Sequence, residues 1–405
     1  MLYQLNLREV TYALSEALDY VGIDDTLHGK RVAFMAAEVG KKLGWRPSKL
    51  DQIMLIGMLH DCGVSSTDVH HHLVSELDWD NSQVHCERGA KLLSKVPLYQ
   101  NFADVIAYHH THWDMFLPHV DEETKVMANL IYLVDRVNAL KAQYGSRSIE
   151  ERNTIRTTIE KYTNTMFAPF LCDAFLSASA SDSFWYYIEP ESLHYYFLNW
   201  IEQGRIESVN FEYLKSIAQM FAAVVDAKSA YTATHTYGVA ALARYVAELC
   251  GLSQKEQEKI ELAAFFHDLG KLRVPDAILN KETPLNGEEI VMMRRHGFDS
   301  QMILQQIKGF SDIAKIASMH HETLDSKGYP YQLSADQIPI EARILTIADI
   351  FQALVQDRPY REGMTLENVQ SILNQMATAQ KVDSSILEKM SHHFTTCYAK
   401  AMQVH

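Results

Sequence analysis

The sequence predicts an all-α protein made of two tandem helical domains related by internal duplication. Strand signals are scarce, because few segments alternate polar and apolar residues, and Gly and Pro number only 17 and 10 in 405 residues. Apolar residues instead recur at three-to-four spacing, as in TATHTYGVAALARYVAELCGLS and EARILTIADIFQALVQD. Residues of metal-binding type also reappear in the same order. His28 and His235, His60 and His267, and Asp61 and Asp268 are each 207 residues apart. His85 and His296, His109 and His320, and His110 and His321 are 211 apart, and Asp135 and Asp349 are 214 apart. The offset drifts only where short insertions would fall in loops, which marks a duplication.

At 405 residues the chain is too long for one typical core, and the repeat divides it into 1–205 and 206–405. A formal charge of -14 disfavours a nucleic-acid polymer as partner, since a phosphate backbone recruits clusters of Lys and Arg. A small anionic substrate stays compatible, because bound cations supply positive charge locally. Five scattered Cys without a C-x-x-C fit reduced thiols. The opening MLYQLNLREVTYALSEAL lacks the layout of a signal peptide, and no run reaches the roughly 18 apolar residues of a membrane span. Together these predict a cytoplasmic protein with no membrane span.

Taken in order, IDDTLHGKRVAFMAAEVGKKLGW places His28 at the start of an amphipathic helix, and KLDQIMLIGMLHDCG ends an apolar helix on His60-Asp61. His70-His71-His72 reads as an exposed loop. His85, the doublet His109-His110 in VIAYHHTHWD, and Asp135 in ANLIYLVDRVNAL complete the first set. SRSIEERNTIRTTIEKY is a polar helix, and the aromatic stretch FAPFLCDAFLSASASDSFWYYIEPESLHYYFLNWIEQG reads as closing helices of the first core rather than a ligand surface. The second copy begins near Asn210. Within it, ELAAFFHDLGKLRVP ends an apolar helix on His267-Asp268, with Gly270 where a left-handed closing residue is common. Met292 and Met293 read as helix packing.

A carboxylate beside an imidazole at the rim of an apolar core is costly unless it is paired or bound to a metal. Imidazole and carboxylate donors suit Fe, Mn or Zn, and the absence of any Cys from the set His235, His267, Asp268, His296, His320, His321 and Asp349 argues against a structural zinc site. Five His and two Asp exceed what one catalytic ion uses, so the count favours two cations, with Asp268 able to bridge them through its two oxygens. Such a pair can hold a bridging hydroxide at neutral pH.

The second half resembles the HD-GYP family, a branch of the HD metal-dependent phosphohydrolases, through HDLGK at 267–271, HHETLDSKGYP at 320–330 and DRPYR at 357–361. That resemblance implies a bacterial phosphodiesterase that linearises a cyclic dinucleotide at a dinuclear iron or manganese centre, with cyclic di-GMP the default substrate and 3',3'-cyclic GMP-AMP the alternative. It implies His235, His267, Asp268 and Asp349 around one cation and Asp268, His296, His320 and His321 around the other. Lys271 would neutralise charge on a phosphate oxygen, and Arg358, Arg361 and Tyr329 would contact substrate. Three positions depart from the family pattern. Tyr231 replaces a Glu that supports a third metal in some members, Ser326 replaces a loop Gly, and Gln352 replaces an Asp.

The first half keeps the broader HD pattern: His28, His60, Asp61, His85, His109, His110 and Asp135 could form a second metal site, with Asp24 as an additional carboxylate. It lacks the phosphate machinery. Val64 stands for Lys271, THWDMFLP for the GYP loop and Tyr144 for Arg358, although Arg147 matches Arg361. A degenerate, regulatory copy is the expectation. Two other readings remain at this level: a catalytically weak cyclic-dinucleotide receptor, and a nucleotidase for mononucleotides, which the GYP loop disfavours. Self-association as a homodimer is left open.

Overall fold

The computed structural model describes residues 2–22, 27–64, 66–79, 81–228, 235–357 and 362–403. Strand β1 (Leu2–Asn6) leads into the helices α1 (Leu7–Asp19), α2 (His28–Lys42), α3 (Pro47–Leu59), α4 (Thr67–Ser75), α5 (Gln83–Leu93), α6 (Ala103–Ala107) and α7 (Glu122–Tyr144). Four further helices follow: α8 (Ile149–Lys161), α9 (Pro169–Ala178), α10 (Asp182–Tyr187) and α11 (Pro190–Glu202). After β2 (Ile206–Asn210) come α12 (Phe211–Lys228), α13 (His235–Leu249), α14 (Gln254–Phe266), α15 (Asp276–Leu279), α16 (Gly287–Arg294) and α17 (His296–Leu304). The chain ends with α18 (Ser311–Ser318), α19 (Ile340–Val355), α20 (Leu366–Thr378), α21 (Ser384–Ser391) and α22 (Phe394–Ala401). The fold is all-α. Among the described residues β1 and β2 form the one sheet, of two strands.

By compactness the chain divides into Asn6–Ile206 and a unit formed by Met1–Leu5 with Glu207–His405. The opening residues, assigned by sequence to the first half, therefore count with the second. The pairing of β1 with β2 accounts for this, and Tyr3 Oη adds a hydrogen bond of 2.7 Å to Glu258.

Local chemistry sets the helix boundaries. Ser253 and Glu256 form a capping box at the start of α14, Asn286 and Glu289 do the same for α16, and Ser148 and Glu151 for α8. Pro47, Pro169 and Pro190 occupy first-turn positions, where a missing N–H costs nothing. In each unit one long helix, α7 or α19, runs through the core with nearly every side chain of its middle turns buried. The aromatic stretch closes the first core as expected: Phe175, Phe184, Trp185 and Phe197 are buried.

Three expectations are corrected. Gly270 is not a left-handed helix closure, since its φ is not positive and it lies in a short 3-10 turn over Leu269–Arg273. Its missing side chain admits the backbone of His296, because a Cβ would meet His296 O at 2.2 Å. Gly63 does the same in the first copy, where a Cβ would meet His85 O at 1.9 Å. The run His70-His71-His72 is not a loop but part of α4, with His70 buried 6.0 Å ring to ring from His28. Met292, expected to pack, is half exposed.

Candidate metal centre

The site in the second unit is built at helix ends. His267 closes α14, His296 opens α17, His320 follows α18, His235 starts α13, and Asp349 projects from α19. Three of these imidazoles are fixed alike: Nδ1 donates to the carbonyl three residues back, Ala264 O for His267, Met293 O for His296 and Ala317 O for His320, each at 2.6 Å. A carbonyl only accepts, so Nδ1 holds its proton and Nε2 is turned inward. His235 Nδ1 meets Gln352 Oε1 at 2.5 Å, so the glutamine that departs from the family pattern orients the first imidazole.

Around these nitrogens the carboxylates divide. Asp349 Oδ1 lies 3.1 Å from His235 Nε2 and 3.9 Å from His267 Nε2. Asp268 faces both halves: Oδ2 is 3.2 Å from His267 Nε2, while Oδ1 is 3.6 Å from His296 Nε2 and 3.9 Å from His320 Nε2. That Oδ1 is buried without a hydrogen bond. His321 joins His296 and His320, their donor atoms all lying within 4.8 Å of one another.

The donor chemistry fits cations. His296 Nε2 and His320 Nε2 face each other at 3.1 Å, and burial lowers both imidazoles, His296 to about 4 and His320 well below its ordinary value. Both are neutral with Nδ1 protonated, so two lone pairs point at one another, an arrangement a shared cation relieves. Burial likewise lowers His321 to about 3, with His296 adding to it. Burial also works against charge on His267, but Asp268 and then Asp349 override it and raise this imidazole to about 9. Asp268 is held well below the carboxylate range, burial being outweighed by His267 and Lys271. Asp349 is depressed as well, burial being outweighed by His235, His267 and His321. Two buried ionised carboxylates beside the neutral imidazoles of His296, His320 and His321 are offset in the metal-free protein by charge on His267 and Lys271, a positive charge that bound cations would supply in place of the His267 proton.

Lys271 reaches this centre directly, its Nζ 2.6 Å from Asp268 Oδ2. The Tyr329 ring packs 4.7 Å from the His321 ring, and the Arg294 guanidinium sits 5.1 Å from the Tyr329 centroid. Glu322, buried, accepts from the backbone N–H of Tyr331, Gln332 and Leu333, which fixes the loop after GYP. Ser326 takes a φ of 60°, so the position keeps the left-handed turn without glycine at a cost of about 1–2 kcal/mol. Arg358, Arg361, Tyr231 and Asp24 lie outside the described residues.

The first unit repeats the arrangement closely. His28 Nε2 is 3.3 Å from both Asp61 Oδ2 and Asp135 Oδ1, and His60 Nε2 is 3.2 Å from Asp61 Oδ2. Asp61 Oδ1 is 3.5 Å from His85 Nε2 and 4.0 Å from His109 Nε2, and His110 Nε2 lies 3.7 Å from Asp135 Oδ2. His60 Nδ1 donates to Gly57 O and His109 Nδ1 to Ile106 O, while the Asn138 amide lies 2.9 Å from His28 Nδ1. Sequence reasoning missed Arg136, which is buried and ion-paired to Asp135 Oδ2 at 2.6 Å, and Cys86, whose Sγ lies beside His85 and His109. Arg294 was missed too; a cation two residues before His296 was its only signal. Val64 is buried where Lys271 stands in the other unit, and Tyr144 and Arg147 are exposed.

No helix of the described residues is long and apolar enough to cross a membrane. A profile of the HD domain matches residues 27–140, and a second HD-domain profile matches 215–386. The 3'3'-cGAMP-specific phosphodiesterase 1 of Vibrio cholerae is 35% identical over 393 residues, 95% of this chain and 91% of that protein. The cyclic di-GMP phosphodiesterase of Thermotoga maritima is 31% identical over 197 residues, 47% of this chain and 52% of that one. The crystal structure of a cyclic GMP-AMP specific phosphodiesterase of V. cholerae shares the fold, with a TM-score of 0.66 at 21% identity over 97% of this chain and 98% of that one. Two HD-type His-Asp clusters on repeated helices and likeness to a phosphodiesterase over nearly the full length lead to one conclusion: the chain belongs to the HD-GYP family of cyclic dinucleotide phosphodiesterases.

Proposed function

We propose that the second unit hydrolyses a cyclic dinucleotide to its linear form at a dinuclear iron or manganese centre. The observation that carries this reading is Asp268, which turns one carboxylate oxygen toward His267 and the other toward His296 and His320. His235, His267, Asp268 and Asp349 would hold one cation, and Asp268, His296, His320 and His321 the other. Bound there, the cations supply Lewis acidity and make water nucleophilic at neutral pH.

The chain's own side chains do the rest. Ala264 O, Met293 O, Ala317 O and Gln352 hold their imidazoles with Nε2 inward. Lys271, now paired to Asp268, sits within reach of a phosphate oxygen and neutralises charge that grows there in the transition state. Tyr329, which packs against His321 and carries the Arg294 guanidinium over its ring, lies beside the second ligand set and would contact substrate there. Arg358 and Arg361 would grip the phosphates.

Of the two substrates, 3',3'-cyclic GMP-AMP comes first. The relative matching 95% of this chain is named for it, whereas the T. maritima cyclic di-GMP enzyme matches under half. The first unit, with its ligand types kept and its lysine lost, is read as a regulatory, metal-holding copy. Anaerobic loading with Fe(II) or Mn(II), metal analysis, and product analysis on both cyclic dinucleotides test the whole reading. The expected product is a linear dinucleotide, formed faster from cyclic GMP-AMP; no turnover of either compound by metal-loaded protein would end it.

A further inference from the structure

The two HD clusters differ in one donor. Cys86 follows His85 in the first turn of α5, and its Sγ lies 3.8 Å from His85 Nε2 and 4.0 Å from His109 Nε2. All three residues are buried. At the offset of this segment its counterpart is Gly297, where a Cβ would meet Ser318 O at 3.0 Å. The second unit therefore has neither a thiol at this place nor easy room for one.

We propose that the first unit holds a metal ion on Asp61, His85, His109 and Cys86, a mixed oxygen, nitrogen and sulfur set that selects a thiophilic cation such as zinc. The proposal rests on the reading of this unit as metal-holding and adds the sulfur donor and the selectivity. Zinc bond lengths place tetrahedral nitrogen and sulfur donors roughly 3.3–3.6 Å apart. The His85 and His109 nitrogens are 3.1 Å apart, Asp61 Oδ1 is 3.5 and 4.0 Å from them, and the sulfur distances are 3.8 and 4.0 Å. Shifts of up to roughly 0.7 Å bring these five separations into that range.

His85 Nδ1 is buried without a hydrogen-bond partner, so His85 Nε2 can donate to the His109 Nε2 lone pair at 3.1 Å, a contact that coordination by both nitrogens would replace. His109 Nδ1 is fixed as a donor to Ile106 O, and burial lowers His85 to about 4 and His109 to about 3. The Cys86 thiol now lies 3.3 Å from Ser82 O, one turn back on its own helix, a weak contact that coordination would replace. Cys62, the other thiol nearby, turns instead toward Gly89 O at 3.8 Å.

Softness then separates the two centres. Thiolate with imidazole favours zinc, whereas the second unit offers only nitrogen and oxygen donors, which also suit iron and manganese. Four protein donors fill a tetrahedral ion and leave no open position for water. This half-site would then be closed, suited to stabilising or sensing, and not to hydrolysis.

The test uses the full chain with His267→Ala and His296→Ala, which empties the catalytic centre. Loaded with Co(II), this protein is expected to show a thiolate-to-cobalt charge-transfer band, and Cys86→Ser should remove the band. In chelator competition the same substitution should weaken zinc binding by 10–100-fold or more, on the order of what lost ligand support costs at metal sites. As a check independent of substitution, zinc-edge absorption of the unmutated protein should report one sulfur at about 2.3 Å. Metal bound without a sulfur signature, and unaffected by Cys86→Ser, would overturn the proposal while sparing the metal-holding reading. No metal bound by the first unit would overturn both.

Discussion

Asp268 has two oxygens in different company. Oδ2 takes the Lys271 ammonium at 2.6 Å, and Oδ1 has no hydrogen bond. A lysine so placed can follow charge from the carboxylate to a phosphate oxygen as that oxygen becomes more negative, which is transition-state binding rather than ground-state binding. Lys271→Met should therefore lower kcat by about 10²–10³-fold with little change in KM and unaltered metal content. A kcat within threefold of the unmutated enzyme would remove Lys271 from the chemistry. The neighbouring imidazole gives a pH prediction. His267, raised to about 9, is an imidazolium at neutral pH in the metal-free protein, and it must lose the Nε2 proton to coordinate a cation. His296 and His321, lowered to about 4 and 3, have none to lose there. Metal loading near pH 7 should thus release about one proton from His267, besides any lost by metal-bound water, and the His267 share should fade as pH rises through 9. Titration calorimetry in buffers of different ionisation heat measures this, and proton release that grows above pH 9 would contradict it.

At the level of elements, the copies diverge chiefly in the segment just after the His-Asp pair. In the second unit a short 3-10 turn carries Lys271, while in the first the chain runs into α4, which buries His70 against His28. Arg136 holds that helix in place. Its Nη2 donates to Leu73 O and Asp135 Oδ2, and its Nη1 to Glu76 O, so one buried cation satisfies carbonyls at the end of α4 and pairs a cluster carboxylate. The second copy has Ile350 there. Arg136→Met should destabilise the first unit by about 3–5 kcal/mol, because it strands a buried carboxylate together with unpaired carbonyls. Denaturant unfolding would read this, and a loss under about 1 kcal/mol would mean the pair is idle. Neither α4 nor its anchor was legible in the sequence: three consecutive histidines carry no periodicity, and an arginine beside Asp135 reads as an exposed charge. Gly270 was noticed for the wrong reason, and Gly63 was not noticed at all. Chain reversal is the commonest use of such a glycine, but close approach to a distant backbone leaves no local signal. The imidazoles and carboxylates were legible because helices of fixed length carry them in a repeated order.

For the whole molecule the repeat that exposed the duplication also frames the division of labour. Equal offsets predicted equal clusters, and the distances around Asp61 and Asp268 agree to within about a tenth of an ångström. The pairing of β1 with β2 was invisible by contrast, since a five-residue strand whose partner lies some 200 residues away has nothing local to announce it. Geometry shared so closely cannot by itself distinguish a working centre from a retired one. The distinction lies in what surrounds it: Lys271 and the GYP loop on one side, Val64 and α4 on the other. His267→Ala should therefore cut turnover of a cyclic dinucleotide by more than about 100-fold, since loss of a ligand exceeds the 10–100-fold typical of losing a ligand's support. His60→Ala, which strikes the matching position of the first unit, should leave most of the activity. Parallel assays of the two variants, each with its metal content measured, decide the matter. Activity lost in His60→Ala and kept in His267→Ala would transfer the chemistry to the first copy, and with it the meaning of every difference between them.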